Sequence, residues 1–309
     1  MKKIRLSAPA TIANVGPGYD IFAMALENPR DEFEISLNDS GKITIEIENN
    51  TENIPLDVNK NTAGLAILEF QKKFNLSDGV HVKIFKKIHS GGGMGTTGAS
   101  ASACVFGLNK LLKMSLTSNE MINIAQMGEI ASGGSPHADN VAAAMLGGFT
   151  LVRNYNPIEI IKLDLPVFPI VFAAIRKSER TTRGKISYQI GEEKLKEQIA
   201  YCSRVIHAIH TQDIAEFGAA ISVDHIAEPV RAVPIPNYFE AKRKILEAGA
   251  FGCNVSGGGS SVFAVCSEDK QTAIAQIMFE NFSKSPHFVE ILKTKTTNFG
   301  VQEISDSAR

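Results

Sequence analysis

Apolar and polar positions alternate with period two in the first part of the chain. Runs at 33–37 and 43–47 follow this pattern, and the turn-forming residues at 38–41 separate them. The pattern predicts two half-buried strands that pair as a β-hairpin. An amphipathic helix at about 61–74 and a further half-buried strand at 80–84 are predicted next.

The second half contains continuous apolar runs that are typical of buried strands, "VFPIVFAAI" and "SVFAVC". Strands and helices mix without regular βαβ repetition, which favours an α+β arrangement over a doubly wound sheet. Composition shifts in the Pro-containing stretch 154–169, so we place a boundary near 155 and expect domains at 1–155 and 156–309. The other predicted helices lie at about 101–112, after the capping box at 117–120, at 192–211, at 213–223, before Gly249 and at 269–282.

Charge and cysteine usage exclude several classes of protein. The 32 basic and 33 acidic residues nearly cancel, so we expect no nucleic-acid or membrane partner, and an anionic ligand needs a local cluster. No run approaches the roughly 20 apolar residues of a membrane span, and the start of the sequence lacks the apolar segment of a signal peptide, so we expect a cytoplasmic protein. We expect four reduced, buried cysteines: Cys104, Cys202, Cys253 and Cys266.

A glycine-rich segment, "HSGGGMGTTGAS" at 89–100, follows the strand at 80–84 and leads into a helix. Glycines take positive φ without strain and let successive backbone N–H groups turn towards a ligand. The N-terminus of the following helix adds unpaired N–H donors and the positive end of the helix dipole. Together these features predict a cradle for a polyphosphate.

Three other interpretations of this segment stay open. Gly93-x-Gly95-x-x-Gly98 matches the dinucleotide fingerprint, but the acid about 20 residues later, Glu120, is already explained as a helix cap. A Walker A loop requires Gly-Lys-Ser/Thr, whereas here two threonines follow Gly95 and the lysines precede the loop. A flexible glycine loop without a ligand is the third interpretation.

Three separated motifs resemble those of the GHMP kinases, the superfamily of galactokinase, homoserine kinase, mevalonate kinase and phosphomevalonate kinase. They are "APATIANVGPGYDIFAMAL" at 8–26, "KKIHSGGGMGTTGASAS" at 86–102 and "EAGAFGCNVSGGGSSVFAV" at 247–265. Their order and spacing cover the whole chain. The resemblance implies a two-domain α+β GHMP kinase fold, with an N-terminal ribosomal-protein-S5-domain-2-like domain and a C-terminal ferredoxin-like domain. It also implies a homodimer.

Segments outside these shared motifs are most similar to the homoserine kinase branch. "NVGPGYD" at 14–20 nearly reproduces the Asn-x-Gly-Pro-Gly-Phe-Asp of that branch. "HADNVAAAMLGG" at 137–148 and "DHIAEPVR" at 224–231 resemble two further elements, and Arg183 matches another arginine. The resemblance implies transfer of the ATP γ-phosphate to the hydroxyl of L-homoserine, which gives O-phospho-L-homoserine for threonine biosynthesis.

The resemblance further implies a site for ATP and Mg²⁺. Glu129 and the hydroxyl of Thr96 or Thr97 are expected to hold Mg²⁺, and Lys87 is expected near the phosphates. The candidates for the phosphate loop and the adenine site are Ser90, Gly91, Gly92, Gly93, Met94, Gly95, Thr96, Thr97 and Gly98, with Asn61 and Thr62.

An amino-acid acceptor presents one ammonium and one carboxylate, so its pocket needs an acid and a planar, bidentate cation. The resemblance supplies two acids for the ammonium, two arginines for the carboxylate and two side chains for further hydrogen bonds. The acids are Asp20 and Asp139, the arginines are Arg183 and Arg231, and the side chains for further hydrogen bonds are Asn14 and His137.

Asn140 stands where the mevalonate and galactose branches are thought to use an aspartate as general base. Asparagine cannot accept that proton at neutral pH. We therefore predict direct attack by the hydroxyl, with its proton passing to a phosphate oxygen, and Asp139 is the alternative base. The residues expected to carry the chemistry are Asn14, Glu129, Asn140 and Arg183.

Some positions depart from the superfamily pattern. "GMGTT" at 93–97 replaces the usual Gly-Leu-Gly-Ser-Ser, and His89 and Ser260 each stand where proline is usual. Threonine retains the hydroxyl needed near Mg²⁺ or phosphate, but its methyl group restricts χ1. Two other functions stay open: a GHMP kinase for another small alcohol, and a non-catalytic GHMP-fold protein that senses a ligand.

Overall fold

The computed structural model describes residues 2–176, 189–258 and 260–305, and within these ranges the chain forms a seven-stranded and a four-stranded sheet with ten α-helices. The strands are β1 (Lys3–Ala13), β2 (Phe22–Asn38), β3 (Ile43–Glu48), β4 (Gly79–Phe85), β5 (Phe149–Tyr155), β6 (Ile158–Leu163), β7 (Pro169–Ile175), β8 (Gly252–Ser256), β9 (Ser261–Val265), β10 (Phe288–Lys295) and β11 (Gln302–Glu303). The helices are α1 (Thr62–Phe74), α2 (Thr96–Leu111), α3 (Ser118–Ala125), α4 (Ile130–Gly133), α5 (Asp139–Leu146), α6 (Glu192–Thr211), α7 (Ile214–Ile221), α8 (Glu228–Arg231), α9 (Tyr238–Glu247) and α10 (Gln271–Phe282).

The larger sheet has the strand order β11-β1-β2-β4-β3, and β2 also pairs with β5, which pairs with β6. Its pairs are antiparallel except β3–β4, which is parallel because α1 provides the crossover connection between these two strands. Helices α2 and α5 pack on β1 and β2. The glycine-rich segment therefore lies between the end of β4 and the start of α2.

The hairpin predicted from 33–37 and 43–47 is wrong, although both strands exist within β2 and β3. β4 lies between them and pairs with both. Period-two alternation identifies a half-buried strand but does not say which strand is its neighbour. The helix α1 carries the chain over the sheet, so β4 takes the central position and β3 the edge.

The other predicted elements are confirmed, with small shifts at their ends. The helix predicted at 61–74 is α1, that at 192–211 is α6, and the last predicted helix is α10. The capping box is also present: the Thr117 hydroxyl accepts from the Glu120 N–H at 3.3 Å, and the Glu120 carboxylate accepts from the Thr117 N–H at 2.8 Å.

The four-stranded sheet has the order β10-β7-β9-β8 and is antiparallel. One face, which includes Phe172 and Phe263, joins the core of the larger sheet, while the other face packs on α9 and α10. Phe217 of α7 links the two parts, since its ring lies 6.3 Å from that of Phe149 and 5.3 Å from that of Phe168, between centroids. One apolar core thus joins the two sheets.

The boundary predicted near residue 155 falls inside the β5–β6 hairpin, and both strands of this hairpin belong to the larger sheet. The chain reaches the smaller sheet between Leu163 and Pro169. The Pro-containing stretch therefore includes both a hairpin turn and the connection between the two sheets. Composition alone does not distinguish these two features. The α+β class is confirmed, and the division into 1–155 and 156–309 stays a prediction.

The expectations about membrane spans and about cysteines can both be compared with the structure. Among the described ranges no helix is long and apolar enough to cross a membrane. All four cysteines are free, and burial raises the pKa of the Cys104 and Cys253 thiols to about 12, which makes them unreactive. Cys266 is also buried, whereas Cys202 is only half-buried and in this respect departs from the prediction.

Candidate active site

The glycine-rich segment forms one wall of a cavity of about 360 Å³. Gly95 caps α2 with a φ of +63°, and a Cβ on it would lie 1.8 Å from the Thr11 hydroxyl oxygen, so the turn into the helix requires glycine. The first backbone N–H groups of α2 have no partner within the helix and provide donors for an anion. The predicted loop residues that line the cavity are Ser90, Gly91, Gly93, Met94, Gly95, Thr96 and Thr97; Gly92 and Gly98 do not line it.

Lys86 and Lys60 line the cavity, whereas Lys87 does not, and the expected place of Lys87 near the phosphates stays a prediction. The Lys86 ammonium donates to the Asp31 carboxylate and to the Thr96 hydroxyl. Lys87 is 57% exposed, and its ammonium pairs with Glu32 at 2.5 Å. The alternation of β4 explains the difference, because Lys86 continues the buried phase of the strand whereas Lys87 continues the exposed phase.

Asp31 is a site residue that the sequence reasoning missed. Its carboxylate accepts from Lys86, and also from the Thr96 hydroxyl at 3.3 Å. A signal was present, since Asp31 lies in phase with Phe33 and Ile35 on β2, whose alternation was recognised. Extending that pattern by one step places a carboxylate on the buried face of the sheet.

Glu129 ends the 3₁₀ helix Gln126–Glu129 and lines the cavity with only 5% of its surface exposed. The described ranges contain no group of three or more His, Cys, Asp or Glu side chains arranged to hold a metal ion. One carboxylate and one hydroxyl nevertheless suit Mg²⁺, which takes most of its oxygen ligands from phosphates and water. The Thr96 hydroxyl already bonds to Lys86 and Asp31, so Thr97 is the better placed of the two threonines.

The two adenine-site candidates also line the cavity, at the start of α1. The side-chain oxygen of Asn61 accepts from the Ala63 N–H at 2.9 Å, and its amide donates to the Pro55 carbonyl at 2.6 Å. Asn61 therefore fixes the start of the helix and the preceding loop. Thr62 and Ile54 add polar and apolar surface to the same cavity.

Asn14, Asp20 and Arg231 meet at the third glycine motif. The Asn14 amide donates to the Gly257 carbonyl at 3.3 Å, and a guanidinium N–H of Arg231 donates to the same oxygen at 2.5 Å. The Asn14 side-chain oxygen accepts from the Asp20 N–H at 3.0 Å. Arg231 also stacks on Tyr19, 5.3 Å from the ring centroid. Gly257 lines the cavity, whereas Asn14, Asp20 and Arg231, here called the acceptor cluster, do not; Asn14 and Arg231 reach the cavity wall through the Gly257 carbonyl.

Both predicted acids lie near Tyr155, another residue that the sequence reasoning missed. The Tyr155 hydroxyl donates to the Asp20 carbonyl at 3.1 Å. Burial raises the pKa of Tyr155, and the neighbouring charges of Asp20 and Asp139 raise it further. One carboxylate oxygen of Asp20 is buried without a hydrogen-bond partner among the described residues, which suits an incoming ammonium.

Asn140 lies between the phosphate loop and β1. Its side-chain oxygen accepts from the Thr11 hydroxyl at 2.7 Å, and it lines the cavity. His137 lies in the loop before α5, where its Nε2 shares a hydrogen bond with the Ser135 hydroxyl at 3.0 Å. Its place in the acceptor cluster stays a prediction. Arg183 lies outside the described residues.

A charged bridge that the sequence reasoning did not predict borders the cavity and joins the two sheets. Arg176, after β7, donates to Glu52 at 2.7 Å, and the His89 Nε2 lies 2.8 Å from a Glu290 oxygen on β10. Burial pushes the pKa of Glu52 upwards, but hydrogen bonds from His89 and Ser90 outweigh burial and lower the pKa to about 2. The hydrogen bond to Glu52 raises the pKa of His89, and the charge of Glu290 adds to this effect.

Comparison with known proteins agrees with the three motifs. The family model described as the GHMP kinases N terminal domain matches residues 61–148, and that described as GHMP kinases C terminal matches 205–284. A homoserine kinase of Methanococcus maripaludis is 34% identical over 294 residues, covering 94% of this chain and 97% of that protein. One from Chlorobium phaeobacteroides is 33% identical over 298 residues, with coverages of 92% and 93%. The crystal structure of a homoserine kinase from Cytophaga hutchinsonii is similar with a TM-score of 0.87 at 31% identity and covers 98% of both chains.

Proposed function

Because the chain belongs to the GHMP kinase family, a two-domain family of ATP-dependent phosphotransferases, we propose that it transfers the γ-phosphate of ATP to the hydroxyl of L-homoserine. The product is O-phospho-L-homoserine, which enters threonine biosynthesis. The observation that carries the proposal is the acceptor cluster of acid, amide and buried arginine, which adjoins the glycine-rich cavity through the bonds of Asn14 and Arg231 to the Gly257 carbonyl. The proposal also includes a cytoplasmic location and a homodimeric state, both of which the family resemblance supports.

The acceptor cluster matches both charged groups of an amino acid. The Arg231 guanidinium is buried, donates to the Gly257 carbonyl and has the planar, bidentate geometry that suits a carboxylate. It is proposed to bind the carboxylate of homoserine, with Arg183 as its proposed partner. Asp20 is proposed to bind the ammonium, because its backbone is held by Asn14 and Tyr155.

The cavity side of the site provides positive charge for phosphoryl transfer. This reaction needs in-line positioning and neutralisation of developing charge rather than covalent chemistry. The donors at the start of α2 and the Lys86 ammonium supply that charge. Asn140 lines the same cavity and is bonded to Thr11 of β1, and its amide is proposed to orient the hydroxyl. The hydroxyl then attacks directly and its proton passes to a phosphate oxygen, with Asp139 as the alternative base.

Glu129 and Thr97 are the residues proposed to hold Mg²⁺. The bound ion would neutralise charge on the phosphate oxygens. Both residues lie in the wall of the cavity that contains the phosphate loop.

Coupled ADP release from MgATP tests the proposed substrate. L-Homoserine is compared with L-serine, mevalonate and galactose at equal concentrations. We expect strong turnover with homoserine alone, because serine is one methylene shorter and the other two alcohols lack the ammonium that Asp20 binds. Turnover on another alcohol would replace the substrate, and ATP binding without turnover would indicate a ligand sensor.

A further inference from the structure

A buried carboxylate outside the three motifs lies behind the phosphate loop. We propose that Asp31 is a positioning residue for phosphoryl transfer, which holds the Lys86 ammonium and the Thr96 hydroxyl at the wall of the nucleotide cavity. Asp31 does not itself line the cavity, so it acts through these two side chains. The kinetic part of this inference rests on the proposed function, whereas the nucleotide-binding part does not.

Two backbone groups fix the orientation of the Asp31 carboxylate. Its Oδ1 accepts from the Lys87 N–H at 2.7 Å and from the Ile88 N–H at 2.8 Å. Both donors belong to the segment directly after β4, which leads into the glycine-rich loop. The other oxygen, Oδ2, is thereby directed at Lys86 and Thr96. Asp31 thus ties the end of β4 and the start of α2 to β2.

Stability of the fold does not explain why a charge stands at this position. Asp31 is 0% exposed, and burial of a carboxylate is costly unless it is paired and hydrogen-bonded. Four donors satisfy Asp31, but a buried ion pair generally stabilises a fold no better than apolar residues of the same volume. The cavity beside Lys86 provides the reason, since an anionic ligand there requires a cation in a fixed place.

The pairing leaves Lys86 prepared to bind a phosphate. An ammonium has three N–H donors, and the bonds to Asp31 and Thr96 use two of them. The side chain is only 14% exposed, so its long stem is already ordered. A lysine that is ordered before the nucleotide binds loses less rotamer entropy during the reaction. Asp31 therefore aims the remaining donor of Lys86 into the cavity.

Asp31→Asn tests this role, because the amide oxygen can still accept from the two backbone N–H groups while the charge is lost. We expect kcat to fall by about 10- to 100-fold with the KM for the acceptor within about twofold. The matched control is Glu34→Gln on the same strand, since Glu34 pairs with Lys3 at 2.9 Å away from the cavity. A kcat for Asp31→Asn equal to that of the control would overturn the proposal.

A double-mutant cycle with Lys86→Met separates positioning from a general structural role. If Asp31 acts through Lys86, adding Asp31→Asn to Lys86→Met lowers kcat by less than about threefold further. A full, multiplicative loss in that background would overturn the proposal, because Asp31 would then act independently of the ammonium.

Nucleotide binding gives a readout that does not depend on the acceptor. Isothermal titration of Asp31→Asn with MgADP and with AMP should show weaker MgADP binding, by about three- to tenfold, and unchanged AMP binding. Equal losses for both nucleotides would mean that the cavity has collapsed, which contradicts a positioning role. This result stands even where wild-type protein fails to phosphorylate homoserine.

Should Asp31→Asn fail to fold, the wild-type protein decides the question. In a crystal structure with the non-hydrolysable analogue MgAMPPNP, the Lys86 ammonium should contact both Asp31 and a phosphate oxygen. An ammonium that has left Asp31, or that does not reach the nucleotide, would overturn the proposal.

Discussion

At Lys86 and Lys87, two identical side chains one position apart have different surroundings. Lys86 continues the buried phase of β4 and reaches the nucleotide cavity, whereas Lys87 continues the exposed phase and pairs with Glu32. Motif position alone could not choose between them, but strand alternation does. The same alternation on β2 identifies Asp31, so both residues could have been predicted by extending a pattern that was already recognised.

The two lysines give a matched pair of variants. Lys86→Met removes the cation beside the start of α2 and should lower kcat by about 100-fold or more, whereas Lys87→Met should leave kcat within about twofold of wild type. Steady-state kinetics measure this difference, with thermal midpoints as the check on folding. A larger loss in Lys87→Met than in Lys86→Met would contradict the assignment.

Arg231 is expected to set affinity for the acceptor rather than for the nucleotide. Arg231→Lys keeps the charge but loses the planar fork, so the KM for homoserine should rise by about tenfold or more with the KM for MgATP nearly unchanged. Arg243→Lys on the exposed face of α9 is the control. Equal increases in both KM values would argue against a role confined to the acceptor.

At the scale of elements, the structure of the phosphate loop depends on the start of α2. Gly91 and Gly95 both have positive φ, of +74° and +63°. A Cβ on Gly91 would meet nothing within 4 Å, whereas one on Gly95 would lie 1.8 Å from the Thr11 hydroxyl oxygen. The two positions therefore separate backbone strain from steric clash.

This difference predicts unequal stabilities for two alanine variants. Gly91→Ala should lower the free energy of unfolding by about 1 kcal/mol, from backbone strain alone. Gly95→Ala should lower it by about 3 kcal/mol or more, because β1 and α2 must also move apart. Urea denaturation measures both values. Equal losses would show that Thr11 does not limit the approach of the loop.

Most helices and strands could be predicted from the sequence, but which elements pack or pair with each other could not. The helix α1 and the capping box at Thr117 follow from local periodicity and hydrogen bonding, which a short window of sequence contains. The neighbour of β2 depends on the crossover through α1, which period-two alternation does not encode. The bond from Arg231 to Gly257 joins residues 26 positions apart, and only the assembled fold brings Asn14 to the same carbonyl.

At the scale of the whole molecule, the cavity lies where the two sheets meet. Gly257, from the turn after β8, and the loop after β4 both contribute to its wall. The bridge of Glu52, His89, Arg176 and Glu290 joins the sheets at the same border. Movement of one sheet against the other would therefore change the cavity and this bridge together.

His89 should make stability depend on pH. The pKa of His89 is raised above the usual 6.5 in the folded protein. Its contribution to the free energy of unfolding is therefore fully present below about pH 6.5 and is lost as pH rises through the raised value. Glu52 stays ionised throughout, since its pKa is about 2. Because His89 is partly exposed and screened, wild type should lose only about 1–3 °C more in Tm than His89→Gln between pH 6 and 9. Parallel profiles would contradict the bridge.

The most direct test of the central claim is ³¹P NMR of wild-type protein incubated with MgATP and L-homoserine. The proposed function predicts a new phosphate monoester resonance that grows in step with ADP and that is absent when homoserine is omitted. ADP accompanied by inorganic phosphate alone, or unchanged ATP, would contradict transfer to the homoserine hydroxyl.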